Sequence, residues 1–397
     1  MNLLFLPSSV MPLLRLSLYN EFRVQSLDIF SQLAHVPFYN LARRTGCVPP
    51  LPMNLTFSVS YRCNSTCQTC NVWRKRVRDL TLDEYERIFC NLGESPYWLT
   101  FSGGEPFLRP DLVDIVLASV RYCSPGIINI PTNGLLTDRV VKGVERLVHQ
   151  APRTQIVINL SLDGIGVRHD AIRGVPGNYA RLLETYAGLQ RIKSPNLTLG
   201  LHTVISRFNV DDFVPLLQHV REHLRPDSFI TEVAEERVEL DTVGLGITPS
   251  SEKYGQIVKH LAADIDRETA AGVAGIAQAF RRHYYQIAHR TLLEQRQVLP
   301  CYAGVASAHI APDGDVWTCC TRAEPIGNLR QVGYDLCQVW GSRRAARLRG
   351  SIRRGECHCP LANAAYSSML CDLPSLLRVG WNMVKGRSRL LRIGKRV

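Results

Sequence analysis

The sequence has no run of about 18 consecutive apolar residues, which is the length that a membrane-spanning helix needs. Residues 1–20 are apolar, but they lack the basic start and the clear A-x-A cleavage site of a secretory signal peptide. The 13 cysteines are therefore not expected to form the disulfides of a secreted protein. We expect a cytoplasmic protein whose reduced cysteines are grouped to bind metal.

The composition also lacks the biases of disordered, collagenous or coiled-coil chains. Of the 397 residues, 45% are apolar and 21% are charged, which is ordinary for a globular protein. A chain of this length can bury a large core and suggests roughly two or three domains.

Acidic residues are missing from the carboxyl-terminal end. Residues 373–397 contain seven Lys and Arg residues and no Asp or Glu, and residues 343–354 form a second basic run. The formal net charge of +12 therefore belongs mainly to the ends, and the middle of the chain is close to neutral. This distribution argues against a basic groove through the whole protein and against nucleic acid as a partner.

Apolar, β-rich runs alternate with helical patterns in the first two thirds of the chain, which indicates parallel βαβ units. The runs are nearly continuous in apolar character because both faces of such strands are buried. They are Leu55–Ser60, Trp98–Ser102, Ile127–Pro131, Ile156–Leu162, Leu197–Ile205 and Phe229–Val233.

Shifts in pattern divide the chain into five segments. We expect an amphipathic N-terminal segment, an α/β core, a helical connection, a small Cys-rich α+β domain and a basic amphipathic tail. Their expected ranges are 1–50, 51–245, 246–300, 301–372 and 373–397.

The strongest chemical signal is a C-x₃-C-x₂-C motif directly after the first predicted strand. Its members are Cys63, Cys67 and Cys70. Three close thiolates form a soft-metal site, but tetrahedral zinc normally needs a fourth protein ligand, and no further Cys or His lies nearby. Three thiolates on a four-iron cluster would leave one iron open to an outside ligand. Three unrelated buried cysteines are the alternative.

A second signal stands at the end of the second predicted strand, where Gly103, Gly104, Glu105 and Pro106 follow one another. Paired glycines let backbone approach a ligand closely, and Glu105 could accept hydrogen bonds from an ammonium group. Alone, the motif would be a plain strand-to-helix turn. Its position at the carboxyl end of a predicted strand makes it a candidate binding motif, because α/β barrels carry their sites at the carboxyl ends of parallel strands.

Together these two motifs resemble the radical S-adenosylmethionine (SAM) superfamily, in which C-x₃-C-x₂-C follows the first strand and GGEP or a variant ends the second. The resemblance implies a partial (β/α)₆ TIM-type barrel over roughly 55–235. It implies that Cys63, Cys67 and Cys70 hold a [4Fe-4S] cluster, whose open iron binds the amino and carboxylate groups of SAM. It also implies reductive cleavage of SAM to methionine and a 5′-deoxyadenosyl radical, which abstracts hydrogen from a substrate.

The same resemblance suggests further SAM contacts at other strand ends. Ser161 and Asp163 would contact the ribose, Arg173 would approach the carboxylate, and Thr203 with Val204 would face the adenine. Asn133, at the end of the third strand, belongs to the same group. Each could instead be an ordinary turn or helix-cap residue. The position before the third cysteine is usually aromatic in this superfamily, and here it is Thr69, which weakens any expectation of adenine stacking there.

The cysteines after residue 300 resemble the SPASM/twitch extension, which carries auxiliary iron–sulfur clusters. A full two-cluster set normally includes a C-x₂-C-x₅-C-x₃-C block, which this chain lacks. The resemblance therefore implies one auxiliary cluster on Cys301, Cys319, Cys357 and Cys359, with Cys320 and Cys371 as rival ligands. A zinc site or a cluster-free domain is the alternative.

The substrate remains open at this level between a small molecule, a lipid-linked compound and a peptide. Peptide maturases often pair such a barrel with SPASM domains, but residues 1–50 lack the pattern of a winged-helix leader-binding segment. A reducing donor such as a flavodoxin or ferredoxin is implied, and a non-catalytic electron carrier is the rival. The basic amphipathic tail predicts peripheral contact with an anionic membrane or, alternatively, a helix packed on the barrel.

Overall fold

The computed structural model describes residues 34–267 and 272–393. The expectations for residues 1–33 and 394–397 lie outside the described residues. The described chain begins in helix α1 (34–45). Buried Tyr39 and Ala42 attach α1 to the C-terminal part of the molecule, where they contact Tyr302 and Cys371.

Six parallel strands form the core of the molecule, in the order β6-β5-β4-β3-β2-β1. They are β1 (Asn54–Ser60), β2 (Trp98–Gly103), β3 (Ile127–Thr132), β4 (Gln155–Ser161), β5 (Leu197–Ile205) and β6 (Ser228–Val233). All of β1 is buried, which explains why its sequence reads as a continuous β-rich run. The expected α/β class with a partial barrel is confirmed.

Helices connect the strands and cover the sheet. They are α2 (Leu82–Leu92), α3 (Leu112–Cys123), α4 (Thr137–Gln150), α5 (Val167–Arg173), α6 (Asn178–Gln190) and α7 (Phe213–His219), which continues into a π-helical turn at Val220–Leu224. Helix α2 begins at a capping box, because the Thr81 hydroxyl accepts from Glu84 N and the Glu84 carboxylate accepts from Thr81 N. These right-handed βαβ units bring the carboxyl ends of all six strands to one edge.

Two long helices, α8 (Ser251–Arg267) and α9 (Gly272–Glu294), occupy most of the segment between the barrel strands and the cysteine-rich extension. Three further strands then continue the barrel sheet rather than forming a separate one. Strand β7 (Ser307–Ile310) pairs in parallel with β1, and β8 (Asp315–Trp317) and β9 (Pro325–Asn328) follow as antiparallel neighbours. The part of the chain that contains the C-terminal cysteines is therefore joined to the first strand of the barrel by strand pairing.

The extension ends in helices α10 (Leu336–Trp340), α11 (Arg343–Arg353), α12 (Ala362–Cys371) and α13 (Leu373–Ile393). Helix α13 buries Ser375 and Val379, and it leaves Leu373, Leu377 and Trp381 exposed. Among the described residues, we find no helix with the length and apolar character that crossing a membrane requires.

Candidate active site

A cavity of about 200 Å³ opens at the carboxyl edge of the six parallel strands. The loop that follows β1 supplies Cys63, Cys67 and Cys70 to its wall, and the following strands supply most of the remainder. The predicted residues that line it are Cys63, Cys67, Cys70, Gly103, Gly104, Glu105, Asn133, Ser161, Arg173 and Val204. The structure thus brings motifs from five regions of the sequence into one site.

The paired glycines allow the cysteine loop to lie directly on the end of β2. A Cβ atom on Gly103, whose φ is +120°, would come within 2.2 Å of Ser60 O, and one on Gly104 would come within 2.2 Å of Arg62 O. Gly104 N donates to Ser60 O and Glu105 N donates to Arg62 O. The glycines therefore permit a close approach of the chain's own backbone, at Ser60 and Arg62, to the end of β2.

Glu105 is buried and joins the second and third strand ends. Its Oε1 accepts from Phe107 N (3.1 Å) and Thr132 Oγ1 (2.8 Å), and its Oε2 accepts from Asn133 N (2.7 Å). Burial raises the pKa of this carboxyl group, although the three donors and Arg173 oppose the shift. Pro106 begins the short 3₁₀ turn that positions the Phe107 donor.

Arg173 and Asp163 form a buried ion pair beside the cysteine loop, with 3.0 Å between Nη1 and Oδ2. The other Asp163 oxygen, Oδ1, accepts from Val204 N. Burial alone would lower the pKa of Arg173, but Cys67 and Asp163 raise it above its usual value. The carboxylate of Asp163 therefore orients Arg173, and Asp163 itself does not line the cavity.

The remaining predicted SAM contacts divide into two groups. Asn133 and Ser161 line the cavity, and Asn133 Nδ2 also donates to Asn64 Oδ1 and Ser65 Oγ within the cysteine loop. Thr203 is fully buried and donates to Leu162 O (2.5 Å), and it does not line the cavity. The neighbouring Val204 lies on the cavity wall instead.

The three thiols of the cysteine loop are partly buried in the cavity wall. Burial raises the pKa of Cys63 to about 11 and that of Cys70 to about 12, and each of these two thiols has Cys67 as an electrostatic neighbour. Such thiols become thiolates when a cation compensates their charge, as bound iron does. The donor set therefore fits a metal cluster better than it fits free reactive cysteines.

Several cavity residues did not emerge from the sequence as candidates. Trp73, His202 and Arg237 line the cavity, and within the described part of the chain Trp73 Nε1, His202 Nε2 and Arg173 Nε are buried without a hydrogen-bond partner. A polar ligand such as SAM would satisfy donors of this kind. Trp73 lies three residues after Cys70. An aromatic residue so close to the cysteine motif is the sequence feature that could have identified it as a cavity residue.

Charged residues from β6 and from the loop after it form a further part of the cavity wall, which we call the far wall. Arg237 Nε lies 2.9 Å from Glu235 Oε1, Arg237 Nη2 lies 3.8 Å from Glu232 Oε2, and His202 Nε2 lies 3.6 Å from Glu232 Oε1. Burial raises the pKa of Glu235 to about 7, with Arg237 opposing the shift and Glu232 adding to it. Glu236 instead accepts from Gly244 N and Gly246 N outside the cavity.

The second cysteine set also comes together in space. Cys301, Cys319, Cys357 and Cys359 line a small cavity of about 30 Å³ behind the far wall of the first. They contact the buried apolar side chains of Ala303, Ile352, Leu361 and Ala364. The Cys359 thiol is a neighbour of the Glu235 carboxyl group, so Glu235 lies between the two cysteine sets. Four thiols around one apolar cavity fit an iron–sulfur cluster.

The two rival ligands occupy different surroundings. Cys371 lies with Tyr39 and Tyr302 beneath helix α1, away from the other cysteines. The Cys320 thiol accepts from Arg237 Nη1 (3.8 Å) and lies within 4.8 Å of the nearest ligand atoms of Glu239 and His309. The carboxylate of Glu239 already accepts from Ser58 Oγ (2.7 Å).

Comparisons with known proteins agree with this geometry. A family model for the radical SAM superfamily matches residues 57–220, and the SPASM model, an iron–sulfur cluster-binding domain, matches residues 301–360. The radical SAM domain implies a [4Fe-4S] cluster and SAM as cofactors, and the SPASM domain implies auxiliary iron–sulfur clusters.

Individual relatives cover different shares of the chain. The PqqA peptide cyclase of Rhodopseudomonas palustris is 26% identical over 338 residues, which are 80% of this chain and 81% of the relative. Fe-coproporphyrin III synthase of Methanosarcina barkeri is 28% identical over 177 residues, which are 43% of this chain and 42% of the relative. The matches to the first curated relatives span about half the length of those proteins.

A solved structure shares the fold. Streptococcus suis SuiB bound to the precursor peptide SuiA has a TM-score of 0.56 and 16% identity, over 76% of this chain and 66% of that chain. The cysteine loop, the GGEP strand end and the two family matches lead to one conclusion. Residues 57–220 of the chain belong to the radical SAM superfamily, and residues 301–360 form a C-terminal SPASM domain.

Proposed function

We propose that the protein cleaves SAM reductively beside Cys63, Cys67 and Cys70 and abstracts a hydrogen atom from a peptide held in the adjoining cavity. One observation carries the proposal: the three cysteines, Glu105 and Arg173 line a single cavity at the carboxyl edge of the parallel strands. The cluster and SAM would supply the electron transfer that yields methionine and a 5′-deoxyadenosyl radical.

The chain's own groups would bind SAM by charge and hydrogen bonding. Arg173 presents an unpartnered buried Nε that would donate to the SAM carboxylate, while Asp163 fixes the guanidinium from the other side. Glu105 Oε2 accepts one hydrogen bond from the chain, which leaves it able to accept another from the SAM ammonium group. Ser161 would contact the ribose, and Val204 with Trp73 would contact the adenine.

A peptide substrate is supported by the extent of one similarity and by the polarity of the far wall. The PqqA peptide cyclase is similar over four fifths of both chains. Glu232, Glu235 and Arg237 offer acceptors and donors in the wall of the same cavity that Cys63 lines. Peptide main-chain amides would pair with such groups, whereas a lipid tail would leave them unsatisfied.

Deuterium transfer identifies the substrate class directly. Cells grown in D₂O supply a deuterated extract, which is separated into peptides, lipids and small solutes. We incubate the reconstituted protein anaerobically with SAM, dithionite and one fraction at a time, and we measure deuterium in 5′-deoxyadenosine by mass spectrometry. The proposal predicts label from the peptide fraction. Label from the lipid or small-solute fraction alone would contradict the peptide assignment.

Peripheral contact with an anionic membrane is a second proposal, supported by the exposed face of α13. Leu373, Leu377 and Trp381 follow one another at four-residue spacing on this face, with exposed fractions of 66%, 67% and 60%. The cation Arg378 is also exposed. An apolar stripe of this kind can insert at a lipid interface, and each cation near the surface contributes up to about 1 kcal/mol.

Sedimentation with vesicles that contain anionic lipid tests this contact. We expect Leu373→Ser with Leu377→Ser, or a chain that ends at Asp372, to lose most of the binding of the full chain. Leu293→Ser is the matched control, because Leu293 is 62% exposed at the end of α9. Equal sedimentation of all four proteins, or of none, would show that α13 is a packing helix only.

A further inference from the structure

An arginine-rich surface lies beside Cys301 of the second cysteine set. Helix α11 exposes Arg343, Arg344, Arg347 and Arg353, and the end of α1 adds Arg44. Residues 34–50 and 336–355, which include α1, α11 and the chain around them, contain no Asp or Glu. We call these five arginines the basic face.

The basic face is fixed in place over Cys301. Arg353 Nη1 donates to Arg43 O (3.3 Å) and Arg44 O (3.0 Å), and Arg43 Nε donates to Cys301 O (3.1 Å). A narrow groove of about 40 Å³, lined by Arg43, Arg349, Arg353 and Cys301, lies between α1 and α11. A predicted ligand of the auxiliary site therefore lies in a groove at the border of the basic face, next to Arg353.

No salt bridge in the described chain neutralises the charge of this face, and the one carboxylate that Arg344 has as an electrostatic neighbour is that of Asp315. In the ranges 34–267 and 272–393, none of the five arginines forms a salt bridge with a carboxylate, whereas the neighbouring Arg322 and Arg354 pair with Glu324 and Glu356. Uncompensated cations on one face attract an acidic partner and raise its rate of association. The exposed apolar residues Phe38 and Leu41 of α1 add the apolar area that a protein interface needs.

We propose that the basic face is the docking site of an acidic one-electron carrier protein of the flavodoxin class, which delivers its electron through the auxiliary site behind Cys301. This inference rests on the proposed function, because only a reductive enzyme needs such a donor. The donor loses one electron and the auxiliary iron–sulfur site gains it. The position of Cys301 favours a redox carrier over a nucleic acid or a membrane, and the exposed surface of α11 carries no large apolar residue for insertion into lipid.

The test measures binding, separately from catalysis. The probe is a flavodoxin, titrated by calorimetry into the reconstituted holoprotein at low and at physiological salt. The variant carries Arg343→Glu and Arg347→Glu, two exposed residues whose side chains form no hydrogen bond or salt bridge with the described chain. The matched control carries Arg153→Glu and Arg191→Glu, which change the net charge equally at exposed positions just before β4 and β5, near the opposite edge of the sheet.

We expect the basic-face variant to bind flavodoxin at least about tenfold more weakly than wild type at low salt, and the control to bind like wild type. Wild-type binding should weaken as salt rises. Equal affinity of the variant and the control would overturn the docking site. The site would also be overturned if the wild type bound RNA or anionic vesicles through this face and did not bind flavodoxin.

SAM cleavage driven by dithionite separates this inference from the proposed function. The basic-face variant should cleave SAM with dithionite at the wild-type rate, because dithionite needs no docking surface. Absence of cleavage by the wild type with dithionite would contradict the proposed function, and the flavodoxin affinities would still decide the docking site.

Discussion

Replacement of Cys63, Cys67 or Cys70 by Ala is expected to abolish reductive cleavage of SAM. Each change removes one of three partly buried thiols on a single loop, and among the described residues no other cysteine lines that cavity. A four-iron cluster that loses one of its three protein ligands is not held in the position that electron transfer to SAM requires. The measurement is 5′-deoxyadenosine formation by each reconstituted variant under dithionite.

The matched control for these variants is Cys90→Ala. Cys90 lies on the exposed side of α2 and contributes nothing to either cysteine set. This variant should retain wild-type cleavage, which shows that the assay reports ligand loss rather than loss of any thiol. Wild-type cleavage by the Cys63, Cys67 or Cys70 variant would contradict the assignment of the primary site.

The second large effect is expected in the iron content of the protein when the three cysteines of the loop after β1 are replaced. The reconstituted wild-type protein should hold about eight irons per chain, and the triple variant of Cys63, Cys67 and Cys70 to Ala should retain about four. The retained iron is expected on Cys301, Cys319, Cys357 and Cys359, whose side chains line one small apolar cavity. Metal analysis with absorption and electron paramagnetic resonance spectra measures both quantities.

Single variants of the two rival cysteines sharpen this result. Cys371→Ala should keep about eight irons, because Cys371 lies with Tyr39 and Tyr302 rather than with the second set. Cys320→Ala should also keep them, because its thiol is held by Arg237. Loss of about four irons in Cys320→Ala would make Cys320 a ligand, and a triple variant without iron would mean that the C-terminal cysteines bind none.

The strands of the barrel could be predicted from the sequence because their signal is local. Each predicted run begins and ends within about two residues of its strand, since strands that are buried on both faces read as apolar throughout. The attachment of the extension could not be predicted. Strand β7 has four residues and pairs with β1, so that Phe57 lies opposite Ile310, and a contact between such distant residues leaves no periodic signal.

In the candidate site, too, the local motifs could be predicted from the sequence and the contacts between distant residues could not. Cys63, Cys67 and Cys70 and the GGEP sequence are contiguous motifs, and the structure brings them to one cavity. The hydrogen bonds of Asp163 with Val204 N and Arg173 depend on how β5 and α5 meet, which no spacing in the sequence reveals. The same limit applies to Arg237, whose guanidinium lies near the carboxylates of both Glu232 and Glu235.

The most direct test of the central claim is the product analysis of anaerobically reconstituted wild-type protein with SAM and dithionite. Because one cavity is lined by the three predicted cluster ligands, by Glu105 and by Arg173, the protein should release 5′-deoxyadenosine and methionine in equal amounts. A non-catalytic iron–sulfur electron carrier would be reduced under the same conditions without consuming SAM. Protein that holds about eight irons per chain and forms no 5′-deoxyadenosine would contradict the account.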